Sequence, residues 1–254
     1  MDTFKKKTVL ITGGSGGIGV ATAKMFLEKG ANVMLVDIDG TSLKKIKTEL
    51  NFDRLAYFVA DVRDEQQVKA YVDATMDKFG DIDVFFDNAG VEGIVAPLED
   101  YPLEEFNKVI DVNIKGVYYG LRHVFPRMKE KGGSILITSS VAGMGGTANI
   151  LPYVTSKHAV IGMMRSAALE GAPYKIRVNS INPSPVNNRM MRSLEEGFAP
   201  NHAVQAKEQF EKMIPLGRYA TNEDVAKLAL FLASDDSAFI TGTVNPVDGG
   251  MTAS

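Results

Sequence analysis

Cysteine is missing from all 254 residues of the chain. That absence excludes disulfides and thiolate metal sites, and it is compatible with a reducing compartment. Excess charge is missing too. With 28 Lys and Arg against 31 Asp and Glu, the net charge of −3 leaves no positive surplus for a nucleic acid. The "KKK" at residues 5–7 reads as the solvated approach to a strand. No apolar run reaches the roughly 18 residues of a membrane span. Met1 leads to "TVLIT" without the apolar stretch of a secretion signal, so a cytoplasmic protein with no membrane partner is expected. Histidine is sparse: His123, His158 and His202 lie far apart, with no carboxylates at metal-ligand spacing, and no metal is expected. Repeats, low-complexity tracts and polar linkers are lacking as well, so residues 1–254 read as one domain.

What is present is a regular alternation. Hydrophobic residues make up 45% and charged residues 23%, proportions of a chain that buries a core rather than of a disordered one. Short apolar runs at residues 8–12, 32–37, 55–60, 82–87, 134–139 and 176–181 read as strands, and most are apolar on both faces, as in a parallel sheet covered by helices on each side. Residues 18–29, 65–79 and 104–129 have helical spacing. The expected fold is therefore α/β, a doubly wound parallel sheet with right-handed crossovers. Residues 183–216 are too long for a plain connection, and their Pro, Asn and Met content suggests a partly helical lid.

The first strand ends in "TGGSGGIG", which places Gly13, Gly17 and Gly19 where the backbone turns into a helix. Helix amides at such a turn receive a pyrophosphate. Asp37 closes the second strand, where a carboxylate accepts hydrogen bonds from ribose hydroxyls and repels a 2′-phosphate. The neighbouring "DIDGTS" has no arginine, so NAD is expected rather than NADP. Further on, "YVTSK" sets Tyr153 and Lys157 one helical turn apart on one face. An ordinary surface helix would satisfy that spacing; so would a proton donor tuned by an ammonium.

Together with "DNAG" at 87–90, "VNIKG" at 112–116, "TSS" at 138–140 and "VDGG" at 247–250, these motifs resemble the classical short-chain dehydrogenases/reductases across nearly the whole chain. The resemblance implies a Rossmann-type sheet of about seven strands, a homotetramer, and a catalytic tetrad of Asn113, Ser140, Tyr153 and Lys157. It implies cofactor contacts from Ser15 and Ile18 in the glycine turn, Asp61 and Val62 around adenine, and Asn88, Ala89 and Gly90 along the cleft. Pro183, Ser184, Val186 and Asn188, in the loop after the sixth strand, complete that set. Substrate contacts are expected from Ser140, Tyr153, Glu92, Met144, Ser184, Met190 and Met191. Met213 joins the two lid methionines either as an adaptable apolar wall or as packing within the lid.

The implied chemistry answers the spacing of "YVTSK". Reducing a ketone puts negative charge on its oxygen, which needs a proton and a stabilising donor. A phenol titrates near ~10, and the Lys157 ammonium is expected to lower that value so that Tyr153 serves as acid in reduction and base in oxidation. Ser140, at a strand end, hydrogen-bonds the substrate oxygen, Lys157 also holds the nicotinamide ribose, and Asn113 anchors a water on a proton path. Two departures stand out. "PSPVNN" replaces the family's Pro-Gly and later threonine, with Pro185 driving Ser184 to an extended backbone and Asn188 in the threonine's place. Asp87 stands where asparagine is usual, a change expected to touch sheet hydrogen bonding more than chemistry. The reading is an NAD(H)-dependent oxidoreductase for a secondary alcohol and its ketone. "DNAGVEG", "APNHAVQAKEQF" and "VDGG" are most similar to the levodione reductase branch, hence a cyclic or bulky ketone. The alternatives are a 3-oxoacyl reductase of fatty-acid synthesis and a non-catalytic NAD-binding regulator.

Overall fold

A computed structural model describes residues 4–253; the outermost ends of the 1–254 domain lie outside the described residues. Seven strands, β1 (Thr8–Thr12), β2 (Asn32–Asp37), β3 (Leu55–Val59), β4 (Val84–Asp87), β5 (Gly133–Thr138), β6 (Ile176–Pro183) and β7 (Val244–Val247), form one sheet in the order β3-β2-β1-β4-β5-β6-β7. Every pairing is parallel. The strand order reverses between β1 and β4, and their carboxyl ends open the crevice where such sheets bind ligands.

Alternate residues of each central strand enter two cores. On one face Val9, Ile11, Val33, Leu35, Phe86 and Leu136 pack against helices α1 (Gly17–Glu28), α2 (Gly40–Leu50) and α9 (Asn222–Ala233). On the other, Leu10, Met34, Phe85, Ile135 and Ile137 meet α3 (Glu65–Phe79), α5 (Val117–Met128) and α6 (Leu151–Gly171). Burial on both faces is why these strands read as unbroken apolar runs. The edge departs from that rule: in β3, the outermost strand, Tyr57 and Val59 are exposed.

One expected helix is not continuous. Residues 104–129 divide into α4 (Leu103–Ile110), a π-helical turn (Asp111–Gly116) and α5. Periodicity alone does not reveal a π turn, since its wider winding adds only a fraction of a residue; such turns favour functional positions, and this one carries Asn113. The expected lid holds two helices, α7 (Arg189–Phe198) and α8 (Ala203–Lys212). They pack over the carboxyl edge through a third, smaller core that includes Ile150, Tyr153, Met191, Leu194, Ile214 and Tyr219. Asp235 and Asp236 open a 3₁₀ turn (Asp235–Ser237).

Candidate active site

At the end of β1 the backbone of Gly13 is left-handed (φ 64°). A Cβ there would lie 3.0 Å from the Ala89 Cα, so glycine alone lets the β1 turn approach the β4 turn this closely. Gly19 stands just behind the cleft wall, where a Cβ on it would fall 2.4 Å from the Gly13 carbonyl oxygen, so glycine here lets α1 start tight against the turn. Helix α1 opens from Gly16 without a side-chain cap, which leaves its first amides and its positive dipole end for an anion.

Thr12 ties this turn to the next strand. Its hydroxyl accepts the amides of Asn88 (3.0 Å) and Ala89 (3.1 Å) and donates to Asp87 Oδ1 (2.8 Å). The Asn88 side-chain amide donates to the Thr12 carbonyl (3.2 Å), and its oxygen accepts from the Thr138 hydroxyl (3.0 Å). Asp37 is held by two amides, Ser15 N–H on Oδ2 (2.9 Å) and Asp39 N–H on Oδ1 (3.1 Å). Each carboxylate oxygen keeps a lone pair for a further donor.

An arginine does stand in this part of the cleft, contrary to the expectation from "DIDGTS". Arg63 comes from the turn after β3 and lines the same wall as Asp37 and Asp61. Its guanidinium clasps Asp61, with Nε at 2.9 and 3.0 Å and Nη2 at 2.6 Å. The charge of Arg63 is thereby committed to a carboxylate, and that hydrogen bond holds Asp61 below the usual carboxylate range. Distance along the chain hid it: only the β2–β3 pairing puts the two turns side by side.

A cleft of about 540 Å³ runs from Gly13 and Asp37 to Tyr153 and the lid. At its far end Tyr153 and Lys157 share the buried face of α6, the Lys157 ammonium 5.5 Å from the phenol ring centre. His158 is turned to another face, its Nδ1 2.9 Å from the Val154 carbonyl. Lys157 Nζ donates to the Thr138 carbonyl (2.8 Å), and the Ser139 hydroxyl donates to the Lys157 carbonyl (2.8 Å). Ser140 lies beyond β5 rather than in it. Its hydroxyl accepts from Ala142 N–H (3.1 Å), capping a 3₁₀ turn. The expected acidification of Tyr153 is not found: burial pushes the phenol up to about 12, against the hydrogen bond from Ser140. Lys157 is itself buried, which brings it down to about 8, with Asp87 opposing the fall.

Asn113 sits behind this wall. Its Oδ1 accepts the Val91 amide (2.8 Å), and its Nδ2 donates to the Val91 carbonyl (2.9 Å) and the Ser156 hydroxyl (3.0 Å). A Cβ on Gly90 would meet both Asn113 Oδ1 (3.3 Å) and Lys157 Nζ (3.4 Å), so the two side chains flank that glycine.

The remaining cofactor-side residues, Ser15, Gly17, Ile18, Val62, Asn88 and Ala89, line the cleft, as do Pro183, Ser184, Val186 and Asn188. The "PSPVNN" loop follows a fixed route. Ser184 N–H bonds the Val247 carbonyl (3.1 Å), Ala220 N–H the Pro185 carbonyl (3.0 Å) and Asn187 N–H the Ala220 carbonyl (2.9 Å). The extended backbone that Pro185 imposes suits the first of these. Asn188 caps α7 with its side-chain oxygen (3.3 Å to Met191 N–H). On the substrate side, Met190, Met191 and Met213 reach the cleft, but Glu92 and Met144 are not in its wall. Glu92 is buried nearby, where its charge works to raise the phenol, and Met144 is largely exposed. Sequence reasoning passed over Leu194, Phe198 and Phe210. With Met190, the first two follow a four-residue helical spacing, the signal that marks one face of α7.

The family model described as "Enoyl-(Acyl carrier protein) reductase" matches residues 13–252. Levodione reductase of Leifsonia aquatica is 40% identical over 98% of this chain and 96% of its own. Trans-4-hydroxycyclohexanecarboxylate dehydrogenase of Sinomonas cyclohexanicum is 37% identical over 99% and 95%. Among solved structures, levodione reductase superposes with a TM-score of 0.96 at 39% identity, covering 99% of both chains. NAD⁺-bound xylitol dehydrogenase superposes with 0.92 at 34% identity, covering 97% and 99%.

Proposed function

The chain belongs to the short-chain dehydrogenase/reductase family, and from that premise we propose an NAD(H)-dependent oxidoreductase that interconverts a cyclic secondary alcohol and its ketone. One observation carries the reading. A continuous cleft has an anion-ready glycine turn and a carboxylate at one end, and a serine, a tyrosine and a lysine in an apolar surround at the other.

The residues present fit a dinucleotide. The left-handed Gly13 and the uncapped start of α1 suit its pyrophosphate. Asp37 suits unphosphorylated ribose hydroxyls, and Arg63, closed on Asp61, offers little to a 2′-phosphate. Val62 and the 88–90 turn would flank it, with Pro183, Ser184, Val186 and Asn188 on the opposite bank. When bound, the nicotinamide supplies or accepts the hydride.

The protein's own groups manage charge and protons. As negative charge develops on the substrate oxygen, Tyr153 gives it the phenolic proton, and in oxidation the phenolate takes that proton back. The Ser140 hydroxyl donates to the same oxygen. Burial raises the phenol, and the Lys157 ammonium 5.5 Å from the ring centre would favour the phenolate once it forms. Asn113 keeps the Gly90–Val91 turn and α6 at a fixed separation and would anchor the water that links Lys157 to solvent. Among the described residues no group of His, Cys, Asp or Glu is placed to hold a metal ion.

Substrate size follows from the lid. Ile150, Met190, Met191, Leu194, Phe198 and Phe210 present an apolar chamber with Ser184 at its cofactor side, suited to an uncharged carbocycle. Residues 183–216 act as the lid of a single domain. The same reading places the enzyme in the cytoplasm as a homotetramer, supported by the family resemblance and by exposed apolar side chains such as Leu103, Leu169 and Phe239. Oxidation of NADH and NADPH, followed by nicotinamide absorbance over a panel of cyclic and linear ketones, tests the proposal. NADH consumption with cyclic ketones is expected; no turnover of any ketone or alcohol would leave only a cofactor-binding protein.

A further inference from the structure

Asp87 is a buried acid that the mechanism leaves unused. Asp87, at the end of β4, is 3% exposed. Its Oδ1 receives the Thr12 hydroxyl (2.8 Å), while Oδ2 is buried with no hydrogen-bond partner. Space for that oxygen exists because residue 120 of α5 is glycine; a Cβ there would lie 2.7 Å from Oδ2. On the α3 side the group's field reaches the Tyr71 hydroxyl, which is fully buried and also lacks a partner. A carboxylate sealed in this way is costly to ionise without a compensating cation.

Lys157 presents the converse problem. Its ammonium is buried and donates to a neutral carbonyl, that of Thr138. Among the described residues no carboxylate lies within ion-pair distance of it, and Asp87 is the acid whose charge acts on it. The two groups are also mechanically linked. Asp87 holds Thr12, Thr12 holds the amides of Asn88 and Ala89, Asn88 holds the Thr138 hydroxyl, and the Thr138 carbonyl holds Lys157.

We propose that Asp87 is the counter-charge of Lys157, a positioning residue that keeps the active-site ammonium charged above neutral pH while fixing the 88–89 turn through Thr12. Burial raises Asp87 to about 7, with the Thr12 hydrogen bond and the Lys157 charge working against it. Around the pair, β1 contributes the Thr12 hydroxyl, α3 the Tyr71 phenol, α5 an uncharged glycine, and α6 Tyr153 alongside Lys157. Glu92 acts on Tyr153. The sign of the pH dependence follows. In acid, Asp87 is neutral and equivalent to an amide; as pH rises through 7 it ionises and sustains the Lys157 cation.

The inference rests on the proposed ketone reduction for its kinetic readout only. Asp87→Asn keeps an acceptor for Thr12 and removes the charge. At pH 6 the kcat/KM values for ketone reduction by wild type and variant should agree within about twofold. The descending alkaline limb of the variant should move down by about one pH unit, so that wild type leads by up to about tenfold near pH 9. A ratio constant from pH 6 to 9 would mean a purely structural residue and overturn the proposal. A second measurement needs no activity: thermal midpoints of wild type, Asp87→Asn, Lys157→Met and the double variant at pH 5.5 and 7.5. Non-additive shifts at pH 7.5 that become additive at pH 5.5 are expected. Additivity at both pH values overturns the pairing whatever the rates do. If wild type reduces no ketone, the functional reading has failed and the thermal cycle alone decides the pairing.

Discussion

The two ends of the cleft are built by different means. At the glycine-turn end the cleft is walled by two tight turns, after β1 and β4, locked together by one threonine hydroxyl. At the substrate end the wall is made of side chains from β6, α6, α7 and α8 that meet only when the lid packs down. The first construction tolerates little change in sequence, because a backbone approach such as that of Gly13 to Ala89 has no substitute. The second tolerates volume exchange among apolar residues. On the proposed reading the glycine-turn end holds the cofactor, and the other end carries both the proton-transfer groups and the apolar wall that selects the ketone.

The sharpest test of that division is Tyr153→Phe, which keeps the ring packed in the lid core and removes the proton donor. Turnover should fall at least ~100-fold while NADH affinity, measured by fluorescence titration, stays nearly constant. Undiminished turnover would move the chemistry elsewhere in the cleft. Next in size is Asp37→Ser. Without the carboxylate, the ratio of NADH to NADPH efficiency should fall by about tenfold; a ratio that stays put would give cofactor choice to Arg63 and its partner instead.

In the lid wall the expected effects are smaller and fall on substrate rather than cofactor. Asn188→Ala removes the α7 cap, worth about 1 kcal/mol. KM for a bulky ketone should rise several-fold, and NADH binding should change less. Equal losses for ketone and NADH would show that Asn188 serves the cofactor as much as the lid. Leu194→Ala should shift preference toward larger ketones by a factor of about 3 to 10, read from kcat/KM across a ring-size series. Ser184→Gly should do so by about twofold, since its hydroxyl rests on the Val247 carbonyl at 3.4 Å and little volume is gained.

Much of the first end was legible in the residues. "TGGSGGIG" after an apolar run is a steric statement about a turn, and the turn is where it was expected. Gly19 also clears the Gly13 carbonyl; steric clearance and ligand approach both demand glycine, so the letter does not separate them. The helix at 104–129 looked continuous because a π turn keeps hydrophobic phase within the tolerance of the pattern. Leu194 and Phe198 carried a helical spacing, but nothing local said which way that face would turn.

By itself the sequence determined the doubly wound sheet, because parallel strands covered on both sides must be apolar throughout and their crossovers must be amphipathic. It also determined the sites of the backbone turns, since left-handed geometry and close approach restrict residue type locally. Only the tertiary structure decided the electrostatics. Arg63 meets Asp61 in the same wall as Asp37, Asp87 at the end of β4 acts on Lys157 in α6, and burial raises Tyr153 to about 12 and lowers Lys157 to about 8. Charge energies depend on desolvation and on distances between groups far apart in the chain, and neither quantity exists until the core and the lid have closed around them.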